Sequence, residues 1–191
     1  FSLHPHWSLS TLFKGIPEPK NFRYGSENRF DRNASRAGAN WEFLDALREK
    51  WKGNLIVKGI MDTDDASRVQ NAGVDAIWVS NHGGRQLDSS PPALSVLPKI
   101  RNTVGPNMPI IFDSGARNGE DVVKALALGA NLVMLGRPIM MALAASSKKG
   151  LNDYLSLLKD EIGVVMAQLG INDLEKISGD VLYDGISKNI R

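Results

Sequence analysis

Two stretches of this chain, NAGVDAIWVSN at residues 71–81 and ALGANLVMLGR at residues 127–137, share one grammar: a glycine, a short apolar run, and a polar residue at its end. Each follows a segment of helical spacing, so each reads as a helix closed by glycine and joined to a buried strand. The alternation extends to both sides. Trp41, Leu44, Leu47 and Trp51 have helical spacing and precede a strand at 54–60 that contains LIVKGI. A helix over 64–71 leads to DAIWVSN at 75–81, a helix over 92–104 to PIIFDSG at 109–115, and a helix over 118–128 to NLVMLGR at 131–137. Continuous apolar strands alternating with helices specify an α/β fold with a parallel sheet covered by helices. The two similar joints echo an internal repeat.

Residues 1–40 are written differently. Pro5, Gly15, Pro17, Pro19, Gly25 and Gly38 punctuate them, and Asn21, Asn28, Asn33 and Asn40 add turn chemistry. They predict a mostly irregular, mobile loop ahead of a domain over 41–191. The apolar residues Phe1, Leu3, Trp7, Leu9, Leu12, Phe13 and Ile16 leave peripheral contact with a membrane or partner as the minority reading. Composition narrows the function. A net charge of +2 is too balanced for nucleic acid as the main partner. The absence of cysteine excludes a disulfide framework, a thiol nucleophile and a cysteine metal site. The histidines His4, His6 and His82 are too few for most zinc sites. No stretch approaches the ~20 apolar residues of a membrane span.

The polar residues of the strands fall in one place. Lys58, Ser80, Asn81, His82, Asp113, Ser114 and Arg137 all lie at or just past the carboxy ends of the expected strands, the face that holds the site in a parallel α/β sheet or barrel. A lysine among Leu55, Ile56, Val57 and Ile60 is expensive to bury unless it meets a negative charge. The bland alternative is a structural ion pair.

DSGARNG puts Ser114, Gly115, Ala116 and Arg117 at the start of a helix, and GRP puts Gly136 and Arg137 before another. Glycines admit a ligand close to the backbone, helix amino termini favour anions, and arginine grips phosphate with two donors. The pair outlines a phosphate site, although either Gly-Arg step alone would read as a turn. SNHGGRQLD is the most informative segment. Gly83 and Gly84 make a corner that can carry His82 and Arg85 into a common cavity. Histidine, with an ordinary pKa of about 6.5, can take a proton near neutrality. Arginine is the natural partner of a carboxylate.

VKGI, SNHGGRQLD, DSGARNGEDVVKALALGA and LGRP resemble the FMN-dependent 2-hydroxy-acid oxidases and dehydrogenases, the family of glycolate oxidase, mandelate dehydrogenase and the flavin L-lactate dehydrogenases. The resemblance runs over about 41–179. It implies a (β/α)8 barrel, FMN as cofactor, a homo-oligomer, and oxidation of a small (S)-2-hydroxy acid, with L-lactate expected first and glycolate or mandelate as alternatives. By position, His82 matches the base and Arg85 the arginine on the substrate carboxylate. Lys58 matches the lysine that stabilises the reduced flavin, and Ser80 a flavin contact. Asp113, Ser114, Gly115, Ala116 and Arg117, with Gly136 and Arg137, match the ribityl and phosphate contacts.

An eight-stranded barrel of this type needs ~250 residues, and the four strands here resemble the fifth to eighth. The first four, as another chain or a cleaved segment of the same polypeptide, are the expected partner. Phe1 would then lie beside a break in the variable loop, which contacts the membrane in mandelate dehydrogenase-like relatives. The expected location is cytoplasmic, with peripheral contact at the inner membrane face as the minority reading. Two other readings stay open: a non-flavin barrel enzyme acting on a sugar phosphate, and a non-catalytic half-barrel that binds or assembles.

Overall fold

The computed structural model describes residues 5–15 and 39–183. The chain divides into two compact units, Phe1–Phe43 and Leu44–Arg191. In the first, helix α1 spans Pro5–Lys14, which corrects the expectation of irregular chain there. Pro5 occupies the first helical position, where its missing N–H is no loss and its fixed φ suits the helix. Leu9, Leu12 and Phe13 then fall at helical spacing on an element that buries none of its residues. The rest of the irregular-loop expectation, at 1–4 and 16–38, lies outside the described residues.

The alternation read from the sequence is present. Helix α2 (Trp41–Lys50) is followed by β1 (Ile56–Ile60), α3 (Thr63–Asn71), β2 (Ala76–Val79), α4 (Ala93–Val104), β3 (Ile110–Phe112), α5 (Gly119–Ala127) and β4 (Leu132–Val133). Cap residues set the helix starts. Asp62 accepts from the Asp64 and Asp65 amides ahead of α3, and Asn118 accepts from Asp121 at α5. The strands are shorter than the apolar runs, and Arg137 opens a helix rather than ending a strand. That helix, α6 (Arg137–Gln168), is broken into two helical segments by non-helical backbone at Ser146 and Ser147.

All strand pairs are parallel and the order is β1-β2-β3-β4. Crossovers between parallel strands follow a right-handed rule, so sequential neighbours put their connecting helices on one face, as in an arc of an α/β barrel. A doubly wound sheet would instead reverse its strand order. Burial follows the alternation of side chains. Ile77, Val79 and Ile110 are fully buried under the helices, whereas Ile56, Leu132 and Met134 on the other face are 46%, 51% and 40% exposed. Lys58, Trp78, Ile111 and Leu132 share one row of the register on that second face.

The internal repeat is physical. Arg48 of α2 donates to the Gly73 and Gly53 carbonyls and to Asp75 Oδ2, which also accepts the Leu55 amide at 2.7 Å. Arg101 of α4 donates to the Gly129 and Met108 carbonyls and to Asn131 Oδ1, which also accepts the Ile110 amide at 2.8 Å. In both units an arginine thus binds the helix-closing glycine, the residue that opens the next strand, and the carbonyl two residues before the strand amide. These clamps tie the amino ends of the strands together and leave the carboxy ends for the site.

Candidate functional site

At the carboxy ends of β1, β2 and β3 a small polar cluster converges. Lys58 Nζ makes an ion pair with Asp113 Oδ2 and donates to Ser80 Oγ at 3.1 Å. Ser80, almost fully buried, donates to Asp113 Oδ1, which also accepts from Ser114 Oγ at 2.6 Å. Lys58 meets the negative charge that its sequence environment demanded. Its side chain is 41% exposed, because the second face of the sheet is uncovered among the described residues. Burial opposes ionisation of Asp113, but hydrogen bonds from Lys58, Ser114 and Ser80 outweigh it and hold the carboxyl below its ordinary range. Trp78, the register partner of Lys58 on β2, puts its ring centre 3.8 Å from the ammonium. The sequence reading missed Trp78; strand alternation, which places it on the face of Ser80, was the available signal.

The same serines hold the next loop. His82–Gly84 form a 3-10 turn in which His82 and both glycines take positive φ, with Asn81 accepting the Gly84 amide at 3.2 Å. The His82 amide donates to Ser80 Oγ and the Gly83 amide to Ser114 Oγ, each at 3.1 Å. From the other side Arg137 Nη2 donates to the Gly83 carbonyl at 2.6 Å. A Cβ on Gly83 would lie 2.3 Å from that guanidinium nitrogen and would push the Arg137 tip off the turn, and the φ of 66° itself favours glycine.

His82 and Arg85 line one cavity of about 530 Å³. Asp113, Ser114, Gly115, Ala116, Arg117, Gly136 and Arg137 line it too, with Met134, Pro138, Met140 and Met141 as its apolar part. Every sequence-predicted site residue is therefore at the cavity except Lys58 and Ser80, which reach its wall through Asp113.

The two expected anion-binding helix ends differ. At α5 the amides are taken internally: Asn118 accepts Asp121 N, Asp121 accepts Arg117 N, and Glu161 accepts Gly119 N. The amino end of α6 has no side-chain cap and opens on the cavity. A Cβ on Gly115 or Gly136 would meet nothing within 4 Å, so the backbone there is open to a ligand. Two guanidiniums, an uncapped helix end and open glycine backbone fit a phosphate. Among the described residues no cluster of His, Asp or Glu could hold a metal ion.

The "FMN-dependent dehydrogenase" family model matches residues 1–184. An (S)-mandelate dehydrogenase of Pseudomonas putida is 40% identical over 188 residues, covering 95% of this chain and 47% of that protein. An L-lactate dehydrogenase of Acinetobacter baumannii is 38% identical over 196 residues, covering 98% of this chain and 51% of its own. Among solved structures, the monotopic membrane protein (S)-mandelate dehydrogenase superposes with a TM-score of 0.85 at 39% identity, over 95% of this chain and 50% of that one. The chain spans about half the length of the curated relatives it matches. Sequence and fold agree, and the chain belongs to the FMN-dependent dehydrogenase family.

Proposed function

We propose that this chain is the carboxy-terminal half of the (β/α)8 barrel of an enzyme that uses FMN to oxidise an (S)-2-hydroxy acid to the 2-oxo acid, with L-lactate or (S)-mandelate as substrate. The observation that carries this reading is the shared cavity, which sets His82 and Arg85 against a phosphate cradle of Arg117, Arg137, Gly115 and Gly136. Arg85 offers a carboxylate two parallel donors and fixes the acid in one orientation. The His82 imidazole, held by a backbone tied on both sides, accepts a proton from the substrate. Lys58 holds a positive charge in place beside Ser80 and Asp113, suited to stabilise negative charge on a neighbouring acceptor. FMN, when bound, supplies the two-electron acceptor.

Exposed Ile56, Leu132 and Met134 support a completing half-barrel as partner. For location, no described helix is long and apolar enough to cross a membrane. The exposed Trp7, Leu12 and Phe13 of α1 support peripheral membrane contact.

The test is the full-length protein carrying His82→Gln. It should keep its flavin spectrum while substrate-driven flavin reduction slows by roughly 10²–10⁴-fold, the scale of general-base catalysis. Reduction at the parent rate with both acids would refute the reading.

A further inference from the structure

We propose that Asp113 is a positioning residue that holds the Lys58 ammonium and the His82–Gly83 backbone in one arrangement, and this rests on the FMN-dependent reading of the site. The sequence and its family resemblance place Asp113 among the contacts to the cofactor. The hydrogen bonds assign it a further part.

The direction of each bond follows from counting hydrogens. Ser80 Oγ carries one hydrogen and already receives Lys58 Nζ and the His82 amide, each at 3.1 Å. Its own hydrogen must therefore go to Asp113 Oδ1. Ser114 Oγ receives the Gly83 amide at 3.1 Å and likewise sends its hydrogen to Asp113 Oδ1, at 2.6 Å. The 3.4 Å approach of the two serine oxygens then has no hydrogen to share. Lys58 completes the set on Oδ2. Every chain of donors ends on one carboxylate: a side-chain cation from β1, the histidine amide through Ser80, and the glycine amide through Ser114.

An acceptor-only group is the sole side chain that satisfies this set. An asparagine of the same shape brings an NH2 group where only acceptors are tolerated. If its oxygen faced Lys58, its nitrogen would face two hydroxyls whose hydrogens have lost their acceptor. If its nitrogen faced Lys58, two donors would oppose each other. Either way the serines release part of their hold on the turn, and Lys58 loses its counter-charge. Asp113 thereby couples the group that stabilises negative charge to the group that takes the proton, although one sits on β1 and the other in the turn after β2.

The experiment compares parent and Asp113→Asn in the FMN-loaded full-length protein. Flavin midpoint potential, steady-state kinetics and single-residue hydrogen exchange would be measured. The expected result is an upward shift of the potential, because a negative charge beside Lys58 is removed. The His82 and Gly83 amides should both exchange several-fold faster, and kcat should fall with little change in KM for the hydroxy acid. An unchanged potential, or parent-like protection at either amide, would overturn the proposal. Should Asp113→Asn fail to fold or to retain FMN, Ser114→Gly decides. Ser114 has a φ of 83°, which glycine adopts without strain. That variant should speed exchange at Gly83 and leave His82 protected; no change at Gly83 would overturn the proposal. Exchange is read without substrate, so a parent protein unable to oxidise any 2-hydroxy acid would sink the functional reading while leaving the hub testable.

Discussion

Tyr154, in the second helical segment of α6, donates its phenolic hydrogen to the Arg117 carbonyl at 2.9 Å. Burial pushes that phenol up, and the negative charges of Glu161 and Asp121 add to the effect, so the hydroxyl stays a donor at neutral pH. The tie fastens a long helix to the loop that carries Ser114, Gly115 and Arg117. With Glu161 accepting the Gly119 amide, it makes α6 the outer brace of the proposed phosphate cradle.

Tyr154→Phe removes one hydrogen bond and leaves the ring in place. A bond of this kind contributes ~1 kcal/mol, about a fivefold change in an equilibrium. The dissociation constant for FMN, measured by fluorescence titration of the full-length protein, should rise by that order. Unaltered FMN affinity would show that the brace does not reach the cradle.

Gly119 sits where α5 meets α6. A Cβ there would lie 2.4 Å from the Ile162 backbone nitrogen and 2.6 Å from Glu161 Cβ. Neither helix can yield without moving the other, so Gly119→Ala should destabilise by ~1–3 kcal/mol, the usual scale of overpacking. The readout is the urea midpoint. A midpoint equal to the parent's would mean that the contact is looser than its geometry.

Arg85 and Arg137 should separate by phenotype. Arg85→Lys keeps the charge and loses the planar fork, so KM for the hydroxy acid should rise and turnover should fall, with FMN occupancy intact. Arg137→Ala should weaken FMN retention on dilution and, because Arg137 also holds the Gly83 carbonyl, loosen the His82 turn. Full FMN occupancy in dilute Arg137→Ala would contradict its placement in the cradle.

Acid should destabilise the fold through two carboxylates. Asp113 is held low by Lys58, Ser114 and Ser80 against the pull of burial. Asp75 is held low chiefly by the Leu55 amide, then by Arg48, also against desolvation. A folded pKa below the unfolded value, about 3.9 for aspartate, gives stability that is present above that value and lost as pH falls through the folded one. Urea midpoints should therefore be level through neutral pH and drop below about pH 4. Asp75→Asn should start less stable and lose less on acidification. An equal acid loss in that variant would remove Asp75 from the account.

The amino-acid order by itself determined the succession of strands and helices over residues 41–137. Those elements are set by local pattern: apolar runs of strand length, helical spacing, and cap residues such as Asp62, Asn118, Gly73 and Gly129. It also placed Ser80, His82, Asp113 and Ser114 at or just past strand ends, because in a parallel sheet every strand's carboxy end faces the same way; Arg137, expected at the end of the fourth strand, opens α6 instead. The helix at Pro5–Lys14 was missed, because a proline that opens a helix and one that interrupts a loop look alike until the following backbone is known.

What tertiary structure alone decided is how those residues satisfy one another. Which amides stay open for an anion could not be read from sequence, since the Gly119 amide at the start of α5 is taken by Glu161, 42 positions further along the chain. Nor could the convergence of Lys58, Ser80 and Ser114 on Asp113, which joins residues up to 55 positions apart. Local pattern specifies the direction and face of a side chain; hydrogen-bond saturation is a property of the packed end of the sheet, where several strands must share one acceptor.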